Sequence, residues 1–94
     1  MPKTTWKPHD AHGTLGSRER DELPETVFAF PRARKEPLTD ASHVRTALAR
    51  FDQVQGVSDR DRDLAFANIR AAAEHYGVEV AEGSWKELGK PGGA

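Results

Sequence analysis

The sequence predicts an α+β fold that is mainly helical, in which a helical hairpin packs on a short two-stranded antiparallel ribbon. A β-prone run, VFAF at 27–30, lies between prolines. Two amphipathic stretches follow it, each with a start signal and a glycine near its end. A second valine-containing run, VEV at 78–80, comes after the second stretch. The predicted element order is therefore β-α-α-β, preceded by a flexible N-terminal tail.

The first predicted strand covers residues 27–30. Flanking prolines restrict it to a short or edge strand, because proline donates no hydrogen bond to a neighbouring strand. Side chains alternate between the two faces of a strand, so Phe28 and Phe30 are expected on one face. A helical hairpin returns the chain close to its start. We therefore expect residues 78–80 to pair antiparallel with this strand.

The first helix is predicted to begin at a cap formed by Thr39 or Asp40 and to run to about Gln53. Side-chain oxygens at this position accept hydrogen bonds from the free amides of the first helical turn. Apolar residues then recur at spacings of three and four, which predicts one buried stripe along the helix. The stripe consists of Val44, Ala47, Leu48, Phe51 and Val54.

The second helix is predicted to begin at Ser58, with Asp61 completing a capping box, and to end at Gly77. Its buried stripe is predicted to consist of Ala65, Phe66, Ile69, Ala72, Ala73 and Tyr76. A closing helical turn is expected at residues 84–88. The predicted core between the layers contains Phe28, Phe30, Leu38, Leu48, Phe51, Phe66, Ile69, Tyr76 and Trp85.

The domain organisation follows from where the apolar residues lie. Residues 1–22 contain prolines, glycines and many charges, with Trp6 and Leu15 as the only large apolar side chains. Such a segment buries too little surface to offset its ordering entropy, which predicts a flexible tail. Residues 23–88 are predicted to form a single small domain. The glycine-rich residues 89–94 are predicted to form a flexible C-terminus.

Composition narrows the class of protein. The 94 residues are 36% hydrophobic and 31% charged, as expected of a small soluble domain. The absence of cysteine excludes disulfides and thiolate chemistry. The net charge of −1 gives no overall field that would attract nucleic acid. No apolar run approaches the length of a membrane span, so a cytoplasmic location is the default expectation. No cofactor is expected.

Four linked motifs occupy residues 23–51: an L-P-x-x-x-F-x-F-P opening, a basic pair, a P-L-x-D step and an H-V-x-x-A-L-A-R helix. Together they resemble a small bacterial and phage module of unknown function. The resemblance extends over residues 23–80 and implies an accessory or interaction role. The matching positions are Leu23, Pro24, Phe28, Phe30, Pro31, Arg34, Lys35, Pro37, Leu38, Asp40, His43, Val44, Ala47, Leu48, Ala49 and Arg50.

His43 is the side chain in this pattern with the clearest catalytic capability. Asp40, three residues earlier, has the spacing at which a carboxylate orients an imidazole for general base catalysis. The alternative is structural, with Asp40 capping the helix and His43 making one local hydrogen bond. We favour the structural interpretation because no nucleophile, oxyanion donor or metal ligand accompanies the histidine. The protein is therefore predicted not to be an enzyme.

Two groups of potential metal ligands are present, but neither predicts a metal site. The group in the predicted tail supplies no fourth ligand. The other resembles the opening of a calcium loop, yet Leu64 occupies the glycine position and Arg70 that of the bidentate glutamate. The two groups are His9, Asp10 and His12, and Asp59, Asp61 and Asp63.

The leading functional hypothesis is a noncatalytic interaction module that binds another protein or a second copy of itself. Small size, a short strand edge and tails able to carry anchors such as Trp6 motivate it. The alternative is a nucleic-acid-binding accessory protein, in which cations beside the phenylalanines of the FAF run bind phosphates and stack on bases. No membrane and no small-molecule substrate are indicated. The candidate binding residues are Arg32, Arg34, Lys35, His43, Arg45 and Arg50.

Overall fold

Two short antiparallel strands form the ribbon of this computed structural model, which describes residues 4–8 and 21–88. Strand β1 is Phe28–Phe30 and strand β2 is Lys35–Pro37. Phe28 lies opposite Pro37, and Phe30 lies opposite Lys35. All three residues of β1 are buried, so the strand lies inside the fold.

Two helices follow the ribbon, α1 at Ala41–Arg50 and α2 at Asp59–Tyr76. The α+β fold, with a pair of helices and a two-stranded antiparallel ribbon, is thereby confirmed. Within the described residues, no helix has the length and apolar character required to cross a membrane. Short 3-10 helical turns occur at Glu25–Val27, Phe51–Gln53 and Trp85–Glu87.

The predicted strand partner of β1 is wrong. The partner is β2, which follows directly after the turn at 31–34, so the described elements run β-β-α-α. Residues 78–80 belong to no strand, although Val78 and Val80 pack against the core. The sequence of β2 gives little β signal, because it consists of lysine, glutamate and proline. In the structure, Arg34 of the turn and Glu36 of β2 adopt positive φ angles of 52° and 57°.

The predicted boundaries of α1 are confirmed. The Asp40 side chain accepts a hydrogen bond from the His43 amide, which identifies Asp40 as the cap. The helix continues into the 3-10 turn Phe51–Gln53, so the helical path ends at the predicted residue. The predicted stripe faces the core, with Val44, Ala47 and Phe51 fully buried.

The predicted signals of α2 are also confirmed. Ser58 and Asp61 form a capping box in which each side chain accepts from the other residue's amide. Gly77 ends the helix in the left-handed conformation at φ 72°, which glycine adopts without steric cost. The fully or nearly fully buried residues of the helix are Ala65, Phe66, Asn68, Ile69, Ala72 and Ala73.

The core lies between α2, β1 and the end of α1. Its centre is Phe51, whose ring contacts those of Phe30, Phe66 and Trp85 at centroid distances of 5.5, 6.2 and 6.1 Å. Trp85 belongs to the predicted closing turn, which is confirmed as a 3-10 turn. A separate small cluster contains Leu23, Val27 and Phe28.

Part of the predicted tail packs on the domain. Residues 4–8 lie against α2 and the ribbon, and Trp6 belongs to the main core cluster with only 8% of its surface exposed. The flexibility of the segment 1–22 stays a prediction, and these five residues are the part of it that the structure places against the domain. Residues 1–3 and 9–20 of the predicted N-terminal tail, and all of the predicted C-terminal tail at 89–94, lie outside the described residues.

Candidate functional site

Asn68 is a fully buried polar residue on the apolar face of α2. A buried carboxamide requires hydrogen-bond partners, because its desolvation is otherwise uncompensated. The next residue, Ile69, is also fully buried, so the position lies well inside the core-facing side of the helix. Asn68 therefore marks a point where the core is built around a polar interaction.

The Asn68 carboxamide connects α2 to the N-terminal segment and to β1. Its Oδ1 accepts hydrogen bonds from the Thr5 amide at 2.8 Å, the Trp6 amide at 3.1 Å and the Thr4 hydroxyl at 2.6 Å. Its Nδ2 donates to the Ala29 carbonyl at 2.9 Å and to the Thr5 hydroxyl at 3.2 Å. One side chain thus binds the backbone of two consecutive residues that lie more than 60 positions away in sequence.

Trp6 anchors the same segment. Its indole N–H donates to the Leu38 carbonyl at 3.1 Å. Its ring packs edge-on against the Tyr76 ring at 5.8 Å and lies 5.6 Å from the His75 ring. The ring is therefore enclosed by apolar and aromatic groups while its polar atom is satisfied.

We call residues 4–8 the strap, and we call the surface formed by Ala29, Leu38, Asn68 and Tyr76 the strap groove. The other strap residues are exposed, so Trp6 is the single buried anchor. A further main-chain bond, from the Lys7 amide to the Thr26 carbonyl at 2.9 Å, fixes the strap beyond the anchor. The groove thus binds main-chain amides and one large aromatic side chain.

The basic residues that were predicted to form a binding site have different roles in the structure. The Arg34 guanidinium donates to the carbonyls of Asp21 and Leu23 at 3.1 and 2.7 Å and lies 4.8 Å from the centroid of the Phe28 ring. These bonds fix the chain that leads into the ribbon. Phe28 and Phe30 are 0% and 2% exposed, so neither ring is available for base stacking.

The other basic candidate binding residues are exposed, and two of them line separate depressions of the surface. Arg32 and Asp61 both line a cavity of about 230 Å³ between the β1–β2 turn and the start of α2. Arg45 lies in an open groove of about 590 Å³ with Glu79 and Glu82. Acidic groups accompany the cation in both depressions. Lys35 and Arg50 are exposed elsewhere on the surface.

His43 makes the local contacts of the structural interpretation. Its Nδ1 lies 2.8 Å from the Asp40 carboxylate and 3.3 Å from the Thr39 hydroxyl. The same carboxylate oxygen accepts the His43 amide in the helix cap. Within residues 4–8 and 21–88, no cluster of three or more His, Asp or Glu side chains is arranged to hold a metal ion. The potential ligands at 9, 10 and 12 lie outside the described residues.

The sequence-based site prediction missed Asn68, and it named Trp6 only as an anchor carried by a flexible tail. Asn68 interrupts an otherwise apolar stripe of alanine, phenylalanine and isoleucine, and this interruption is the signal that was available. Trp6 is an isolated large aromatic residue in a polar segment. Neither signal alone indicates its partner, because local periodicity carries no information about pairs so distant in sequence.

The chain matches one family model over residues 9–83, and that model is described as a family of unknown function, DUF6582. No curated protein and no solved structure matches the chain. The groove residues lie inside the matched range, whereas the strap lies before it. The match covers most of the chain and confirms the expected small domain of unknown function. The chain therefore belongs to the DUF6582 family.

Proposed function

We propose that this protein is a noncatalytic interaction module that binds a segment of another protein, or of a second copy of itself, in the strap groove. The observation that carries the proposal is the bonding of Asn68 to the backbone of Thr5 and Trp6. In that contact the domain holds a short segment that lies before the family-matched residues.

The energetics of the groove favour an occupant. An empty groove exchanges the strap hydrogen bonds of the Asn68 oxygen for bonds to water, which costs about 1 kcal/mol per bond. It also exposes the apolar surface around Tyr76 that the Trp6 ring covers. A segment that supplies two main-chain amides and an aromatic ring removes both costs.

The recognition mode combines general and selective contacts. Bonds to main-chain amides, at Thr5 and Trp6, are available to most sequences and supply affinity. The indole bond to Leu38 adds selectivity, because phenylalanine has no donor to replace it. Tryptophan is also a residue type that frequently dominates binding energy at protein interfaces.

Two features support a noncatalytic role. The Asp40 carboxylate is engaged in capping α1 and in the His43 contact. The bonds of Asn68 and Trp6 hold a chain in place and involve no acid, base or nucleophile. The proposal therefore assigns the groove to binding alone.

The nucleic-acid alternative has weaker support. It requires exposed aromatic rings beside the cations, and Phe28 and Phe30 are buried. Arg34 is bonded within the fold, which leaves Arg32 and Lys35 as the exposed cations of the central set. Salt-sensitive binding of short nucleic acids that disappears in an R32A/K35A variant would favour this alternative.

Binding of a peptide by the full chain tests the proposal. The chain is isotope-labelled and carries Trp6→Ala, which removes its own anchor, and a synthetic peptide with the sequence of residues 1–8 is titrated into it. We expect saturable shifts of the Asn68 side-chain amide and of the Ala29 and Leu38 backbone signals. A matched peptide with alanine in place of tryptophan is expected to bind at least about tenfold more weakly, since each 1.4 kcal/mol corresponds to tenfold.

The absence of any saturable shift with the tryptophan peptide would contradict the proposal. Circular dichroism confirms that the Trp6→Ala chain retains its helices. Should that chain fail to fold, Thr5→Pro provides a second host, because it removes one amide donor to Asn68 from an exposed position.

A further inference from the structure

We propose that the strap exchanges between two copies of this chain, so that Trp6 of one copy fills the strap groove of the other. The inference rests on the proposed function and names the partner as a second copy. Each groove of the resulting dimer contains the contacts that a single chain makes with its own strap. The site is then completed by a residue that the partner contributes.

Chemical complementarity identifies the second copy as the occupant. The strap supplies donors from three consecutive residues, Thr4, Thr5 and Trp6, to one carboxamide oxygen. It also supplies the indole donor for Leu38. A second copy carries the same segment, so exchange breaks and forms the same set of bonds.

Apart from the Trp6 anchor and these bonds, the strap contributes one main-chain bond to its own domain, from the Lys7 amide to the Thr26 carbonyl. Four of its five residues are exposed, and the capping contacts of α1 and α2 do not involve it. Release of the strap therefore exposes the Trp6 ring and the Asn68 carboxamide, while α1 and α2 keep their caps. A groove that loses its own strap is complementary to the strap of a neighbour.

Concentration determines which arrangement dominates. A segment tethered to its own domain has an effective concentration on the order of 1 mM, so a single chain retains its own strap in dilute solution. Exchange becomes dominant when intramolecular docking is weakened in both partners. This condition is created by placing one defect in the strap of one chain and one defect in the groove of the other.

Complementation between two full-length variants tests the exchange. The first, Trp6→Ala, has an intact groove and a defective strap. The second, Asn68→Ala, has an intact strap and a defective groove, and it is isotope-labelled. Mixing them is expected to move the Trp6 indole signal of the labelled chain to its wild-type position and to double the sedimenting mass. Each variant alone is expected to remain monomeric.

The matched control replaces the Trp6→Ala chain with a chain that carries both substitutions and therefore offers no intact groove. No movement of the Trp6 signal is expected with it. The Trp85 indole, bonded to Asp63 at 2.7 Å in another part of the domain, provides an internal reference. Thr5→Pro replaces Trp6→Ala if that chain does not fold, and helical circular dichroism is measured for every chain used.

The outcomes distinguish the exchange from the proposed function. An unchanged Trp6 signal and mass in the mixture, while the Trp6→Ala chain binds the peptide of residues 1–8, would overturn the exchange and leave the groove as a peptide site. Failure of the peptide to bind would overturn both. Doubled mass in the control mixture would place the association elsewhere on the domain and would also overturn the exchange.

Discussion

The indole N–H of Trp6 donates to the carbonyl of Leu38 at 3.1 Å. The Leu38 amide in turn donates to the Val27 carbonyl at 2.9 Å, next to β1. Leu38 lies between the ribbon and α1, and its side chain is fully buried. The strap is thus bonded to the junction where the two layers of the fold meet.

Trp6→Ala is expected to destabilise the protein by about 3 kcal/mol, because it removes a large buried side chain and its bond to Leu38. Urea unfolding followed by circular dichroism measures the change. Trp6→Phe serves as the matched control, since it keeps an aromatic ring and loses the donor, and we expect it to cost less. Unfolding midpoints equal to wild type for both variants would show that the strap does not stabilise the fold.

Asn68→Ala is expected to reduce the free energy of unfolding by about 2 kcal/mol. The substitution leaves the Ala29 carbonyl and the Thr5 and Trp6 amides without their partner. It should also accelerate hydrogen exchange of the two strap amides. Arg70→Ala, on the exposed face of the same helix, is the control and is expected to change stability by less than about 0.5 kcal/mol.

Arg34→Lys is expected to destabilise the protein by about 1 to 2 kcal/mol. Lysine cannot reproduce the planar fork that contacts the Asp21 and Leu23 carbonyls while lying over the Phe28 ring. Arg32→Lys, in the exposed part of the same turn, should be neutral. Equal midpoints for the two variants in chemical unfolding would contradict the structural role of Arg34.

Asp40→Ala is expected to cost about 1 kcal/mol through loss of the α1 cap, whereas Asp40→Asn should cost much less, because asparagine caps helices as well as aspartate does. Thermal unfolding of the two variants measures the difference. If the role of Asp40 were instead to ionise His43, both substitutions would be equally harmful. Similar large losses in both variants would therefore argue against a capping role.

Local signals explain which parts of the fold were predictable from the sequence. The caps at Asp40, Ser58 and Gly77 act through residues within a few positions of one another, so they can be recognised in a single sequence. The buried stripes of both helices follow from the same local periodicity. These elements were predicted correctly for that physical reason.

The second strand was not predictable in the same way. A tight turn places β2 beside β1, and its last residue, Arg34, has a positive φ angle. Glu36, inside β2, also has a positive φ angle, and such angles are uncommon for residues other than glycine. The valines at 78 and 80 gave the stronger β signal, but they pack on the core without joining a sheet. Tertiary packing decides which segments pair as strands, and it overrides the β propensity of the individual residues.

The strap groove was hidden for a related reason. Composition predicts that the whole segment 1–22 is flexible. A single tryptophan with a suitable partner is nevertheless enough to dock five of its residues. That partner, Asn68, is 62 residues away from Trp6. Of the candidate site residues, His43 and Arg34 were recognised as notable, but the structure gives both of them local structural contacts.

The most direct test of the docked strap is a nuclear Overhauser spectrum of the uniformly labelled full chain in dilute solution. The account predicts cross-peaks between the ring protons of Trp6 and Tyr76, whose centroids lie 5.8 Å apart in an edge-on arrangement. A spectrum in which Tyr76 is assigned and the Trp6 ring contacts only its sequence neighbours would contradict the account, because the strap groove would then be unoccupied by residues 4–8.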